Sequence, residues 1–157
     1  MPAAPVVPVE LWNVGVPVIG KERIRELIPQ RFEMEQLDGI SYLDRATQAV
    51  VGWKDVRDDE FWVRGHIPGR PLLPGVVMLE ALAQLVSVAT LEALPDLGFV
   101  GFGGIDACKF RISVTPGQRL VLVAACKEIR PRRAVYDAQG WLDGRLAVEA
   151  TITGVRV

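Results

Sequence analysis

The sequence predicts an α+β domain in which a curved antiparallel sheet wraps one long central helix. A short helix and two strands come first, followed by a long helix that is apolar nearly all round and then by four strands. A helix with so little polar surface belongs inside a protein, and a sheet is the element that can enclose it. One six-stranded sheet covers only part of such a helix. We therefore expect a second copy of the chain to cover the remainder, giving a homodimer.

The composition is that of a globular protein with no general affinity for nucleic acid or membranes. The chain has 157 residues, of which 50% are hydrophobic and 24% charged, and its formal net charge is -1. This length suits a single domain, which we place at residues 21–157. The balanced charge gives no attraction to nucleic acid or to an anionic membrane. The two cysteines cannot form a zinc site alone and are expected to be free thiols in a reducing cytosol.

The first half of the chain begins with an arm and continues with short elements. Residues 1–20 carry four prolines and predict an extended N-terminal arm. No basic residue precedes Lys21, so a signal peptide is not indicated and a cytoplasmic location is expected. The pattern then predicts a helix, two strands and an irregular loop, at 21–28, 32–43, 47–56 and 61–75 respectively.

The long helix is predicted over residues 76–91, where only Glu80, Gln84, Ser87 and Thr90 are polar. Polar residues in mid-span would be costly in lipid, so we interpret this segment as a core helix and not as a membrane span. Four strands are predicted after it, at 98–113, 118–129, 133–142 and 145–155. The dipeptide Asp143-Gly144 favours a type I′ turn between the last two.

The candidate chemistry lies in the loop before the long helix. His66 is the only histidine of the chain, and Glu80 is the only acid in the first four turns of that helix. The first N–H groups of a helix have no internal acceptors, and the positive end of the helix dipole lies behind them. A base, a carboxyl group and such N–H groups around one small volume suit proton abstraction next to a carbonyl. Taken separately, each residue has a non-catalytic explanation: His66 could be a turn residue, and Glu80 could be a solvated side chain of the helix.

The same segment resembles a known active-site motif. The resemblance is to the β-hydroxyacyl-[acyl-carrier-protein] dehydratases, hot-dog-fold enzymes of type II fatty acid synthesis, and lies in Gly65-His66-Ile67-Pro68-Gly69-Arg70-Pro71-Leu72-Leu73-Pro74-Gly75-Val76 and Glu80-Ala81-Leu82-Ala83-Gln84. It extends more weakly to residues 105–110, 116–120 and 142–144. It leaves residues 1–20 unmatched.

The resemblance implies a function and a set of site residues. His66 of one subunit would face Glu80 of the other as the catalytic pair, and the N–H of Gly75 would hold the substrate oxygen. Glutamate at position 80 is similar to the branch that dehydrates without isomerising the double bond. The reaction needs no metal and no redox cofactor. Substrate contacts are expected from Gln84, Ile67, Pro74 and Val76.

Departures from the family pattern bear on the substrate. The family usually has phenylalanine at the position of Ile67 and an aromatic residue near Val63. Its Leu-Pro-His-Arg segment is replaced by Ile28-Pro29-Gln30-Arg31. These positions belong to the expected tunnel lining and lid, so they leave the acyl chain length open.

Acyl carrier protein is the partner that the resemblance implies, and it is acidic. Arg130, Arg132 and Arg133 form a local basic cluster that could dock it, although a solvated hairpin face explains the cluster equally well. Dimers could remain as they are or form a trimer of dimers. Two other functions stay open: a hot-dog thioesterase or coenzyme-A-linked hydratase, and a non-catalytic subunit of a lipid or polyketide pathway.

Overall fold

The computed structural model describes residues 3–157, so the first two residues of the predicted arm lie outside the described part. Residues 3–157 form two α-helices and six strands: α1 at Lys21–Leu27, β1 at Gly39–Asp44, β2 at Ala49–Asp55, α2 at Gly75–Ala93, β3 at Val100–Phe110, β4 at Arg119–Arg130, β5 at Arg133–Leu142 and β6 at Arg145–Arg156. All neighbouring strands are antiparallel, in the order β1-β2-β4-β5-β6-β3. The predicted α+β architecture is confirmed.

Helix α2 lies against the inner face of the sheet, with Leu82 and Leu85 fully buried. The packing is tight at Gly52 of β2, where an added Cβ would lie 3.0 Å from Cδ1 of Leu85 and 2.7 Å from the carbonyl oxygen of Gly39. A side chain at Gly52 would therefore collide with the backbone of β1 and press on the side chain of Leu85. By length and hydropathy α2 could cross a membrane, but it is mostly buried inside the domain, as the core helix of a soluble protein would be.

The strand predicted at residues 32–43 is wrong over its first half. The segment before β1 is not extended from Phe32, because Phe32–Met34 forms a 3-10 turn and the strand starts only at Gly39. Phe32 is 85% exposed, whereas Gln36 is buried with its N–H donating to Oε1 of Gln84 in α2. This hydrogen bond to the central helix fixes the path of the segment. The turn at Asp143-Gly144 has positive φ at both residues, as a type I′ turn requires.

The N-terminal arm covers the outer face of the sheet. Val7 is 1% exposed and packs on Val51 and Val123 beside Trp141. The side-chain amide of Gln139 in β5 makes two hydrogen bonds to the backbone of the arm. Its Oε1 accepts from the N–H of Val6 at 2.8 Å, and its Nε2 donates to the carbonyl of Ala4 at 3.0 Å. The arm therefore contributes a second, smaller hydrophobic cluster on the side of the sheet opposite α2.

Val7→Asp is expected to detach the arm and lower the free energy of unfolding by about 2–3 kcal/mol, the value of a lost buried valine. Val9→Asp is the matched control, because Val9 belongs to the same arm but is 56% exposed. The control should change stability by less than about 0.5 kcal/mol. Urea unfolding followed by tryptophan fluorescence measures both, and equal losses would contradict the packing described above.

Candidate active site

The loop that carries His66 is anchored in the core at both ends. Trp62 and Leu73 are buried on either side of it. Between them, Ile67 and Arg70 exchange backbone hydrogen bonds at 3.1 and 2.8 Å, and Gly69 closes this turn with a φ of 77°. A side chain at that backbone conformation would be strained, so the glycine is required here. The loop is thus a small, internally bonded turn.

The ring of His66 is oriented by its own loop. Its Nδ1 lies 2.7 Å from the carbonyl oxygen of Leu72, and the N–H of Leu72 donates to the carbonyl of His66 at 2.8 Å. A carbonyl oxygen only accepts, so Nδ1 carries the proton. In the neutral ring Nε2 then holds the lone pair and is available as a base. The residue is exposed, which leaves this nitrogen accessible.

Helix α2 begins next to His66, and its first N–H groups are available. Val77 and Met78 donate to the carbonyl of Pro74, whereas the N–H groups of Gly75 and Val76 have no backbone acceptor among residues 3–157. Such groups at a helix start bind oxygen atoms that carry negative charge. A cavity of about 540 Å³ joins them to the histidine; it is lined by His66, Leu72, Leu73, Pro74, Gly75, Val76, Met78, Phe110, Arg111, Ile112 and Ser113.

Phe110, at the end of β3, explains why position 75 is a glycine. A Cβ added to Gly75 would lie 2.7 Å from Cε1 of the Phe110 ring. The ring is 51% exposed and forms one wall of the cavity. An alanine at this position would therefore push the ring away and change the shape of the space in front of the free N–H groups.

Glu80 is held by Gln84, one turn further along α2. Nε2 of Gln84 donates to Oε1 of Glu80 at 2.8 Å and to the carbonyl of Met34 at 2.7 Å. Oε1 of Gln84 accepts from the N–H of Gln36 at 2.9 Å. The orientation of the Gln84 amide is thereby determined, because both donors and the acceptor are used. The carboxylate thus has a fixed side-chain partner.

His66 and Glu80 line different cavities of the same chain. The cavity at Glu80 has a volume of about 160 Å³ and is lined by Gln30, Glu80, Ala83, Gln84, Val86, Ser87, Phe99, Val100, Gly101, Phe102, Ile152, Thr153 and Gly154. None of these residues borders the cavity at His66. Within one protomer the two groups therefore do not enclose a common volume.

The other predicted site residues, Ile67 excepted, are divided between these two cavities. Pro74 and Val76 line the cavity at His66, and Gln84 lines the one at Glu80. Ile67 borders neither cavity, and its side chain is 47% exposed. No feature of the sequence pattern had indicated Phe110 or Phe102 as wall residues. Phe110 ends the weakly matching segment 105–110, and Phe102 is marked only as a large apolar side chain in a predicted strand.

The basic cluster lies at the far end of α2, away from His66. A cavity of about 450 Å³ there is bordered by residues 93–97 of the helix end together with Ile129, Arg130, Pro131 and Arg156. Nε of Arg130 is 2.6 Å from Oε1 of Glu128, so part of the positive charge is neutralised locally. Arg132 and Arg133 are exposed and form no ion pair within the described chain.

Residues 28–151 match the family model of the FabA-like domain. The 3-hydroxyacyl-[acyl-carrier-protein] dehydratase FabZ of Clostridium botulinum (strain Okra / Type B1) is 38% identical over 130 residues, which cover 82% of this chain and 90% of that protein. FabZ of Streptococcus pneumoniae serotype 4 is 36% identical over 137 residues, which cover 87% of this chain and 96% of that protein.

Solved structures of similar shape support the fold alone, since their sequences are distant. The dehydratase heterocomplex ApeI:P from Xenorhabdus doucetiae superimposes with a TM-score of 0.72 at 14% identity, over 85% of this chain and 90% of that one. A hypothetical thioesterase with coenzyme A from Streptococcus pneumoniae TIGR4 gives a TM-score of 0.59 at 11% identity, over the same shares. These neighbours are hot-dog proteins, which confirms the predicted fold class.

Proposed function

Because the chain belongs to the FabA-like domain family, we propose that it is a 3-hydroxyacyl-[acyl-carrier-protein] dehydratase of fatty acid biosynthesis. This enzyme is a hydro-lyase: it removes water from a 3-hydroxyacyl thioester and leaves a trans-2-enoyl thioester. The observation that carries the proposal is the ring of His66, tied through Nδ1 to Leu72 in the same cavity as the first N–H groups of α2. We place the activity in the cytoplasm.

The proposed reaction uses three groups of the chain. Nε2 of His66 removes a proton from the carbon next to the thioester carbonyl. The N–H of Gly75 donates to the carbonyl oxygen while negative charge develops on it. Protonated Glu80 gives its proton to the departing hydroxyl, so that water leaves and the carbon–carbon double bond forms. Afterwards His66 is protonated and Glu80 ionised, and a proton returns from His66 to Glu80 through water.

A homodimer accounts for the separation of the two residues within one chain. In the proposed assembly, His66 of one protomer faces Glu80 of the other, so each active site combines the two kinds of cavity. Val76, at the start of α2, is 72% exposed, and Phe110 is half exposed beside it. A second copy would cover these apolar side chains and close the site against water.

The edge strand β3 is the surface best suited to this contact. It runs for 11 residues and pairs only with β6. Phe102 and Ile105 are exposed along it. A long edge strand with apolar side chains is prone to pair with another copy of itself. Sedimentation equilibrium is expected to give twice the chain mass, or six times if the dimers assemble further.

The decisive assay presents crotonyl-acyl carrier protein to the wild-type chain and follows the enoyl absorbance together with free thiol. Hydration of the double bond without thiol release supports the dehydratase, which catalyses both directions. Release of thiol would instead identify a thioesterase, and neither signal would indicate a non-catalytic subunit. Crotonyl-coenzyme A in place of the carrier substrate tests the alternative of a coenzyme-A-linked hydratase.

The docking role of the arginine cluster is tested by charge reversal. Arg132→Glu/Arg133→Glu should raise KM for the carrier-bound substrate roughly tenfold at low salt, since rim charges act mainly on encounter. KM for crotonyl-coenzyme A should stay unchanged. Arg145→Glu is the control, because Arg145 is exposed at the opposite end of β6 from the cluster. An unchanged KM for the carrier substrate would leave these arginines as a solvated hairpin face.

A further inference from the structure

Two opposite charges are buried beneath the loop that carries His66. Nζ of Lys54 lies 2.6 Å from Oε1 of Glu60, and their side chains are only 2% and 6% exposed. Lys54 is two residues beyond Gly52 in β2 and therefore on the inner face of the sheet, next to the fully buried Leu120 of β4. Apolar side chains of similar size generally stabilise such a place at least as well as an ion pair. The pair is therefore poorly explained by stability, and its role is better sought in how it places the loop.

The carboxylate of Glu60 bonds to residues that precede and follow it in the chain. Oε2 accepts from the backbone N–H of Arg57 at 2.8 Å, and Oε1 accepts from Nε1 of Trp62 at 3.3 Å in addition to Lys54. One side chain therefore fixes the start of the loop to strand β2. Trp62 is buried in the main core at the same point, which leaves this segment little freedom.

The next contacts lead directly to the histidine. The carbonyl of Trp62 accepts hydrogen bonds from the N–H of His66 at 2.7 Å and from that of Gly65 at 3.2 Å. The backbone of His66 is therefore tied to Trp62 as well as to Leu72, and the indole of Trp62 is in turn bonded to Glu60, the partner of Lys54. A continuous series of hydrogen bonds connects the inner face of the sheet to the base of the active site.

We propose that Lys54 and Glu60 are positioning residues, which tie the His66 loop to β2 and thereby set the place of the imidazole. Neither residue lines a cavity with His66 or Glu80, so neither touches the substrate. Their effect is on the alignment of Nε2 with the substrate carbon. The consequence for turnover rests on the proposed function, whereas the consequence for the ring itself does not.

The test removes both charges together, in Lys54→Met/Glu60→Leu, so that no unpaired charge remains buried. The chain has a single histidine, so its ring signals in an NMR spectrum are assigned without ambiguity. We expect the ring proton and nitrogen resonances to move or broaden as the loop shifts, while the thermal midpoint falls no further than in the Glu92→Gln variant described below. With crotonyl-acyl carrier protein, kcat should fall roughly 10²-fold, as misplacement of a catalytic group does, with KM changed less than about twofold.

Glu92→Gln is the control for a loss of stability without displacement of the loop. Glu92 is 9% exposed and bonds Arg23 and Arg45 at the opposite end of α2. Burial raises the pKa of its carboxyl, but the hydrogen bonds from the two arginines outweigh this and hold the pKa below its ordinary value. Removing its charge should lower the thermal midpoint and leave the histidine signals and kcat unchanged.

The outcomes separate this proposal from the proposed function. Unchanged histidine signals in the double variant overturn it, whatever the activity of the wild type. Altered signals support it even if the wild type proves inactive as a dehydratase. Should the double variant fail to fold, Glu60→Asp keeps the charge but shortens the side chain by one carbon. The same displacement of the histidine signals is then expected, and its absence overturns the proposal.

Discussion

His66→Ala is expected to lower kcat for hydration of crotonyl-acyl carrier protein by about 10³-fold, with a folded dimer retained. The alanine removes the only imidazole of the chain, and general-base catalysis commonly contributes about 10²–10⁴-fold. His66 is exposed, and among residues 3–157 its ring bonds only the carbonyl of Leu72, so the core does not depend on it. The rate of absorbance change at saturating substrate measures the loss, and the sedimentation coefficient checks the fold.

His66→Asn separates the base from the support of the loop. The asparagine amide can still donate to the carbonyl of Leu72, which Nδ1 of the histidine reaches at 2.7 Å, but it has no basic nitrogen. We expect it to be as inactive as the alanine variant. Activity near the wild-type level in either variant would show that the base is another group, and the assignment of His66 would be wrong.

Mixing His66→Ala chains with Glu80→Gln chains is expected to restore about a quarter of the wild-type activity. Each variant alone should be nearly inactive, because every site lacks one of the two groups. After exchange of subunits at equal concentration, about half of the dimers contain one chain of each kind. If His66 of one chain works with Glu80 of the other, such a dimer has one site with both changes and one intact site.

The mixture must be unfolded together in urea and refolded, since a stable dimer exchanges slowly. Refolded mixtures of each variant with itself provide the background rate. Recovery of activity only in the mixed sample locates the two groups on different chains. No recovery, with dimers verified by sedimentation, would mean that both groups act within one chain, and the shared site proposed above would be refuted.

The parts of the fold that sequence could predict are those in which local pattern and burial agree. Helix α2 was predicted over 76–91 and occupies Gly75–Ala93, because its apolar residues and the flanking prolines leave no alternative. Strand β5 has the predicted bounds, Arg133–Leu142, since a turn closes each end. In both segments the residues that decide the structure are neighbours in the chain.

The parts that sequence could not predict depend on contacts between distant segments. The segment at Phe32 has the alternation of a strand, yet its path is set by Gln84, which lies 48 residues after Gln36. Phe110 becomes a wall of the site only because β3 ends beside the start of α2. Lys54 and Glu60 look like ordinary surface charges in a polar stretch, and only the sheet register and the path of the loop after β2 bring them together. No local pattern contains this information.

The arm has a consequence for how larger particles can be built from this chain. Its first turns occupy the convex side of the sheet through Val7 and Trp12, which stacks obliquely on Trp141 with ring centroids 6.0 Å apart. A second domain that approached from that side would therefore contact the arm before it reached the strands of the sheet.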